Sequence, residues 1–357
     1  MILSALLAIC SAFSSCGGNG GTSYAPDTDD LTLSKSEMTV DYTEQTFTID
    51  VKAGSEFSAY TTDETWLQVT PKSSTKREET LTVTVKANES RSERSGSVVV
   101  NAGGTRRAVT VTQGEAPKPD IEGPEGYTLV WNDEFEGETL GGDWTYEIQG
   151  PGWVNNELQN YVSNGGVTVV SNGTLKINLK KDGKNINSAR IYAKRSQGWK
   201  YGYVEARIKL PKGKGTWPAF WMMPVNFTAW PADGEIDIME EVGYNPNVVH
   251  STIHCNKYNN TGTAIESAHT TVPTAQTEFH VYAMDWTADR MVFYVDGEPL
   301  LTYRNDGSGK DAWPFDSPFY IILNLAWGGG WGGLQGVDES CLPATMEVDY
   351  VRVFQKE

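Results

Sequence analysis

Short runs in which apolar and polar residues alternate fill most of this chain, and no stretch keeps a helical period over three turns. In "TLTVTV" the set Leu81, Val83, Val85 opposes the threonines, and "TFTIDV", "GSVVV" and "AVTVTQ" repeat the pattern between residues 31 and 114. Side chains alternate across a strand, so such runs predict half-buried β-strands and a small antiparallel sandwich. "GEAPKPDIEGPEG" then interrupts the pattern with Pro and Gly, marking 115–126 as a linker of limited flexibility. From 127 to 357 strands resume. In "YVEARIKL", Val204, Ala206, Ile208 and Leu210 alternate with Tyr203, Glu205, Arg207 and Lys209, and "VDGEPL" supplies an Asp-Gly hairpin turn. The predicted class is all-β: an N-terminal small sandwich followed by two larger packed antiparallel sheets of jelly-roll type. A curved sheet of that kind offers a concave face on which an extended polymer can lie.

One strand breaks its own rule. In "GEIDIMEE", Glu235, Ile236, Asp237 and Ile238 alternate, but strict parity would next align Met239 and Glu241 with the acids and turn Glu240 away. Hydrolysing a glycosidic bond takes two carboxyl groups flanking that bond, one to protonate the leaving oxygen and one to attack or to activate water. Residues two apart on one face sit about 6.6 Å apart and four apart about 13 Å, so glutamates at both ends of the run can lean inward over the central Asp. Either Glu241 is the second worker, or an extra residue shared between Ile238 and Met239 forms a bulge and returns Glu240 to the face of Glu235 and Asp237.

Charge and composition narrow the partners. With 46 acids against 29 bases the formal charge is −17, which repels phosphate backbones, so nucleic acid is not expected. The 12 Trp, 16 Tyr and 11 Phe suit a neutral ligand with flat apolar faces instead. "MILSALLAICSAFSSC" reads as an export signal without a charged start, too short to span a bilayer, and no other stretch approaches ~20 apolar residues. Its "FSSC" ending resembles a bacterial lipoprotein cleavage box, which implies lipidation at Cys16 and a place at the outer membrane or cell surface. Residues 17–30 are a Gly, Ser, Asn, Asp and Pro tether. Outside the signal only Cys255 and Cys341 remain, enough for one bridge but not a framework, and no spacing supports zinc.

"GEIDIMEEVGYNPNVVHSTIH" resembles glycoside hydrolase family 16 in its laminarinase-like branch, where the acid triplet carries this additional Met. "WNDEFEG", "NNELQNY", "SARIYAK", "YGYVEARIKLPKGKGTWPAFWMMP", "MDWT", "VDG" and "VDYVRVF" follow the family in order and cover essentially all of 127–357. The resemblance implies a concanavalin-like jelly roll and a retaining mechanism: Glu235 as nucleophile, Glu240 as acid and later base, and Asp237 between them, its charge raising a neighbour's pKa. "ETWLQVTPKSS", "LTVTVKANES" and the terminal "VTVTQ" resemble the small BACON domains found ahead of carbohydrate enzymes, which implies a spacer or a sugar-binding module.

Matching positions also carry roles for the substrate. Trp217 and Trp221 of "TWPAFW", with Trp230, are candidate sugar platforms, and Trp221 is implied to lie against the sugar at the cleavage point. Trp327 and Trp331 of "LNLAWGGGWGG" are expected on an exposed loop at the groove, the first of them standing where the family often has a smaller apolar residue. His254 is expected to hydrogen-bond into the site, with His250 on the same parity, and Asn156 and Arg190 match positions that bind sugar hydroxyls. Family members also bind a structural Ca²⁺ on the convex side, implying Glu134, Gly173 and Asp349 as oxygen ligands, while catalysis needs no cofactor. The expectation is a monomeric, exported endo-β-glucanase cutting β-1,3 or mixed β-1,3/1,4-glucan. The rivals are a β-galactanase such as an agarase or porphyranase, a transglycosylase of the same family, and a surface glycan-binding protein without turnover.

Overall fold

The computed structural model describes residues 30–88, 93–117, 121–259, 261 and 266–356. The expected signal, its Cys16 and almost all of the tether lie outside them, as do residues 118–120 of the linker. The described residues gather into two compact units that divide between Glu115 and Ala116.

The first unit is a sandwich of two sheets. One has strands in the order Leu31–Leu33, Gln45–Ala53, Glu78–Val85, Leu67–Thr70; the other runs Glu37–Val40, Thr105–Gln113, Arg94–Ala102, Phe57–Thr61, Ser73–Ser74. The alternation works as the pattern predicts, with Leu81, Val83 and Val85 buried beside Ile49, Val51, Val98, Val100, Val109 and Val111. Gln113 is fully buried, yet satisfied, because its side-chain amide donates to the carbonyls of Tyr42, Thr43 and Lys86.

The second unit packs a ten-stranded outer sheet against a seven-stranded inner one. We number the inner strands β1 to β7 in chain order: Trp144–Tyr146, Arg190–Ala193, Thr216–Pro224, Glu235–Glu240, Val248–His254, Glu266–Thr271 and Phe319–Trp327. Their spatial order is β1-β2-β7-β3-β4-β5-β6. The core lies between the sheets, where Phe220, Met222, Ile236, Ile253, Ile321, Leu323 and Leu325 meet Leu175, Ile177, Val204, Ile208, Met284, Phe293 and Val353. Strand β7 is buried at all nine positions. On its second face Tyr320 and Ile322 pack with Tyr192 and Met223, so this central strand reads as one apolar run, broken by a single Asn. Cys255 and Cys341 are both free.

Candidate active site

Strand β4 resolves its parity conflict with a bulge. Against β3, Glu240 faces Ala219, Met239 faces Phe220 and Asp237 faces Trp221, so the register slips by one residue at Ile238. Against β5, Asp237 faces Thr252 and Glu240 faces His250, leaving Ile238 and Met239 together opposite Ser251. The Ser251 hydroxyl donates to the Ile238 carbonyl at 2.8 Å. Both bulged side chains enter the core with Ile236, and Glu235, Asp237 and Glu240 turn to the cleft. Glu241 points back into the protein, where its carboxylate accepts from the Asn247 N–H (2.5 Å) and the Gln276 side chain (3.0 Å). Before the strand, Gly234 sits at φ 90°, and a Cβ there would come within 2.7 Å of Phe315.

Register extends these positions into rows across the inner sheet. One row reads Arg190, Asn324, Ala219, Glu240, His250; the next reads Tyr192, Ile322, Trp221, Asp237, Thr252. The cleft above them has a volume of about 950 Å³. Trp217 donates its indole N–H to Glu240 at 2.8 Å, and Trp230 donates to Glu235 at 3.0 Å. Trp221 instead donates to the Asn324 side-chain oxygen Oδ1 at 2.7 Å, which fixes its ring beside Asp237. His254 Nε2 stands 3.3 Å from Asp237 and 3.9 Å from Glu235, and Trp230 covers the imidazole at 5.6 Å between centroids. Arg190 is wedged among aromatic faces, 4.5 Å from Trp221, 5.1 Å from Trp153 and 5.5 Å from Tyr192.

Burial pushes all three acids up. Glu235 rises to about 7 through burial and the neighbouring Asp237 charge, opposed by His254, Arg190 and the Trp230 N–H. Asp237 rises to about 8 by burial. Glu240 is held well above its ordinary value by burial and then by Asp237, with Trp217 opposing. His250, in contrast, is lowered to about 4 by burial and by His269, and so is neutral in the working range.

Of the residues expected from sequence, Arg190, Trp217, Trp221, Trp230, His250, His254 and Trp331 line this cleft with the three acids. Two do not. Trp327 is fully buried rather than exposed, because it ends β7 opposite Thr216 and so takes the core face, whereas Trp217 on the other parity looks into the cleft. Its presence in place of a smaller residue therefore touches packing and not the groove. Asn156 is exposed outside the cleft: it follows Asn155 in a turn with both residues at positive φ (52° and 55°), and Asn155 is the one that lines the site. Trp331 is carried by a glycine turn pressed so close that a Cβ on Gly332 would lie 3.0 Å from Trp217.

Sequence reasoning missed Glu157, Trp153, Phe227 and Asn324, all of which line the cleft. Glu157 is buried and accepts from Tyr161 (3.0 Å) and Gln159 (2.9 Å). It lay inside "NNELQNY", and Asn324 was legible as the lone polar residue in "FYIILNLAW". Away from the cleft, the Glu134 carboxylate is held by Arg352 through two bonds of 2.8 and 2.9 Å, and Asp349 pairs with Arg207 at 2.7 Å. Glu134 would thus offer a calcium ion at most its main-chain oxygen, and Asp349 would share its carboxylate with a guanidinium. Within the cleft, donor atoms of Glu235, Asp237 and His254 lie within 4.8 Å of one another, close enough to share a cation.

A family model described as glycosyl hydrolases family 16 matches residues 155–352, and one described as a viral BACON domain matches residues 30–116. The chain is 42% identical to a β-glucanase of Rhodothermus marinus over 64% of its own length and 85% of that protein. It is 38% identical to a keratan-sulfate endo-1,4-β-galactosidase of Sphingobacterium multivorum, over 64% of this chain and 55% of the relative. Among solved structures, a laminarinase from Flavobacterium sp. UMI-01 superposes with a TM-score of 0.60 at 40% identity, covering 64% of this chain and all of that one (100%).

Proposed function

We propose that this chain, which belongs to the glycosyl hydrolases family 16, is an endo-acting β-glucanase that hydrolyses β-1,3-glucan or mixed β-1,3/1,4-glucan by double displacement. The observation that carries this is the bulge at Ile238–Met239, which sets Glu235 and Glu240 on one cleft face on either side of Asp237. Their surroundings divide the labour. Glu235 has one acid neighbour, Asp237, against His254, Arg190 and an indole N–H that favour its anion, whereas Glu240 has two, Asp237 and Glu235, against the Trp217 N–H and His254, so the proton is held more firmly on Glu240, as a general acid needs.

In the first step Glu240 gives its proton to the glycosidic oxygen while a Glu235 oxygen bonds to the anomeric carbon, and the carbon–oxygen bond to the leaving sugar breaks. In the second, the Glu240 carboxylate takes a proton from water as that water attacks the same carbon and frees Glu235. The configuration is retained after two inversions. Trp217 bonds one Glu240 oxygen and so leaves the other for proton transfer. Trp221, fixed by Asn324, offers its face to the sugar, and the rim rings Trp153, Trp230 and Trp331 supply further apolar surface.

Sizing the products from laminarin, barley mixed-linkage glucan, lichenan, agarose and keratan sulfate, with the anomeric configuration read by NMR, tests substrate class, endo action and stereochemistry together. Release of short β-anomers from the glucans alone is expected. A product from agarose or keratan sulfate alone would favour the galactanase reading, which the Sphingobacterium relative keeps in view. A Glu235→Gln variant should bind laminarin without cutting it; a pure binding protein would have no activity to lose. We further propose a monomer tethered through a lipid on Cys16 at the outer surface, with the N-terminal sandwich as a spacer, tested by radiolabelled fatty acid incorporation and by its loss in Cys16→Ala.

A further inference from the structure

The chain has four histidines, and two of them are pinned. His254 stands against Asp237, and His280 is bonded to Asp296 (2.6 Å) and Thr274 (2.9 Å). His250 on β5 and His269 on β6 are directly opposite each other in the antiparallel register. Their ring centroids are 5.1 Å apart and tilted by 34°. Among the described residues no hydrogen bond holds either ring, and His250 also meets Trp331 edge-on at 5.1 Å. His269 is exposed on the edge strand of the sheet, and it does not line the cleft.

Facing residues of an antiparallel pair carry their Cβ atoms about 4.5–5.5 Å apart. A tetrahedral ion with metal–nitrogen bonds of about 2.0–2.1 Å needs two nitrogens about 3.3 Å apart. Ring centroids 5.1 Å apart are compatible with that span, and among the described residues no hydrogen bond fixes either ring elsewhere. We propose that His250 and His269 form a two-imidazole site for a borderline transition-metal cation, Cu²⁺, Ni²⁺ or Zn²⁺, at the end of the cleft next to the acid Glu240. Imidazole pairs suit these ions, whereas Ca²⁺ and Mg²⁺ prefer oxygen. His250 faces Glu240 across β4 and β5, so an ion held here sits one row position from the proton donor and blocks the sugar path beside Trp331.

The test uses the untagged full chain near pH 7.5. Calorimetry with ZnCl₂ reads binding, and electron paramagnetic resonance with CuCl₂ reads the number of nitrogen ligands. Wild type should bind one ion through two nitrogens, reversibly with EDTA, and Zn²⁺ should inhibit laminarin cleavage while Mg²⁺ does not. His269→Gln should weaken Zn²⁺ binding at least about tenfold and relieve inhibition to the same degree, with metal-free kcat/KM unchanged. Equal affinity in His269→Gln overturns the proposal and assigns the ion to Glu235, Asp237 and His254. Absence of binding by wild type up to about 1 mM overturns it too, as does binding without inhibition. The binding arm needs no turnover; only the inhibition arm rests on the hydrolase reading, so the two can fail separately.

Discussion

Replacing Trp230 by Phe removes one N–H and keeps the ring over His254. That N–H donates to Glu235 at 3.0 Å and is one of three groups favouring its anion. A hydrogen bond to a charged acceptor contributes about 1.5–3 kcal/mol. Trp230 is 38% exposed, so water replaces part of the loss, which leaves about 1 kcal/mol, or about 0.7 of a pKa unit at 1.36 kcal/mol per unit. Burial and Asp237 already push the carboxyl up to about 7, and losing a donor to its anion moves it higher. Glu235 must be ionised to attack, so the acid limb of kcat/KM shifts to higher pH by about 0.7 unit, and the rate on that limb falls about fivefold. The alkaline limb, where Glu240 gives up its proton, stays in place. Initial rates on a laminarin oligosaccharide from about pH 4 to 9 measure both limbs. If the acid limbs of variant and wild type superimpose, or the rate falls by one factor at every pH, Trp230 serves the sugar alone and the positioning of Glu235 is refuted.

Four other outcomes follow from the same geometry. Glu240→Ala should lower glucan hydrolysis roughly 100- to 10,000-fold, and azide should restore turnover of an aryl glycoside as a β-glycosyl azide; an α-azide would exchange the roles of Glu235 and Glu240. Trp327→Ala should cost about 3–5 kcal/mol of stability in a urea melt, whereas Trp331→Ala should raise KM with an unchanged melt; the reverse pattern would put Trp327 in the groove and Trp331 in the core. Glu241, fully buried, is raised by burial from 4.5 to about 7, so the folded state binds its proton more tightly than the unfolded one, and its contribution is present below the unfolded pKa and lost as pH rises towards 7. Glu241→Gln should therefore gain on wild type by about 2–4 kcal/mol between pH 4.5 and 8 in denaturant titrations, and a constant gap would show that Glu241 titrates normally. If calcium occupies the convex side near Glu134, Gly173 and Asp349, EGTA should lower Tm and CaCl₂ restore it; an unmoved Tm removes calcium from the account.

Much of this was written plainly. Strand parity placed Leu81, Val83 and Val85 in one core and Val204, Ala206 and Ile208 in the other, because each sheet has one dry face and a two-residue period reports it directly. The failure of parity at Met239 located the bulge, since two acids on one face admit few other solutions. What stayed hidden depended on loops and on sheet ends. Trp327 looked like loop because glycines follow it, but a strand continues until its last ladder bond, and only the partner Thr216 tells which way the ring turns. Asn156 and Asn155 could not be told apart, since two successive left-handed residues decide which side chain comes inward. Glu157 stays hidden inside "NNELQNY" because nothing local shows that Tyr161 and Gln159 reach back to it.

The extra residue in β4 adds a second side chain to the core without moving an acid out of the groove. Deleting either Ile238 or Met239 would restore plain alternation, keeping Glu235, Asp237 and Glu240 on the cleft face and Glu241 inside, and would remove one side chain from the packing between the sheets. Strands of either length can therefore present the same three carboxyls, and the loss of one codon here is a change in packing before it is a change in chemistry. A survey of such proteins should therefore ask which acids reach the groove rather than how many residues separate the first glutamate from the last.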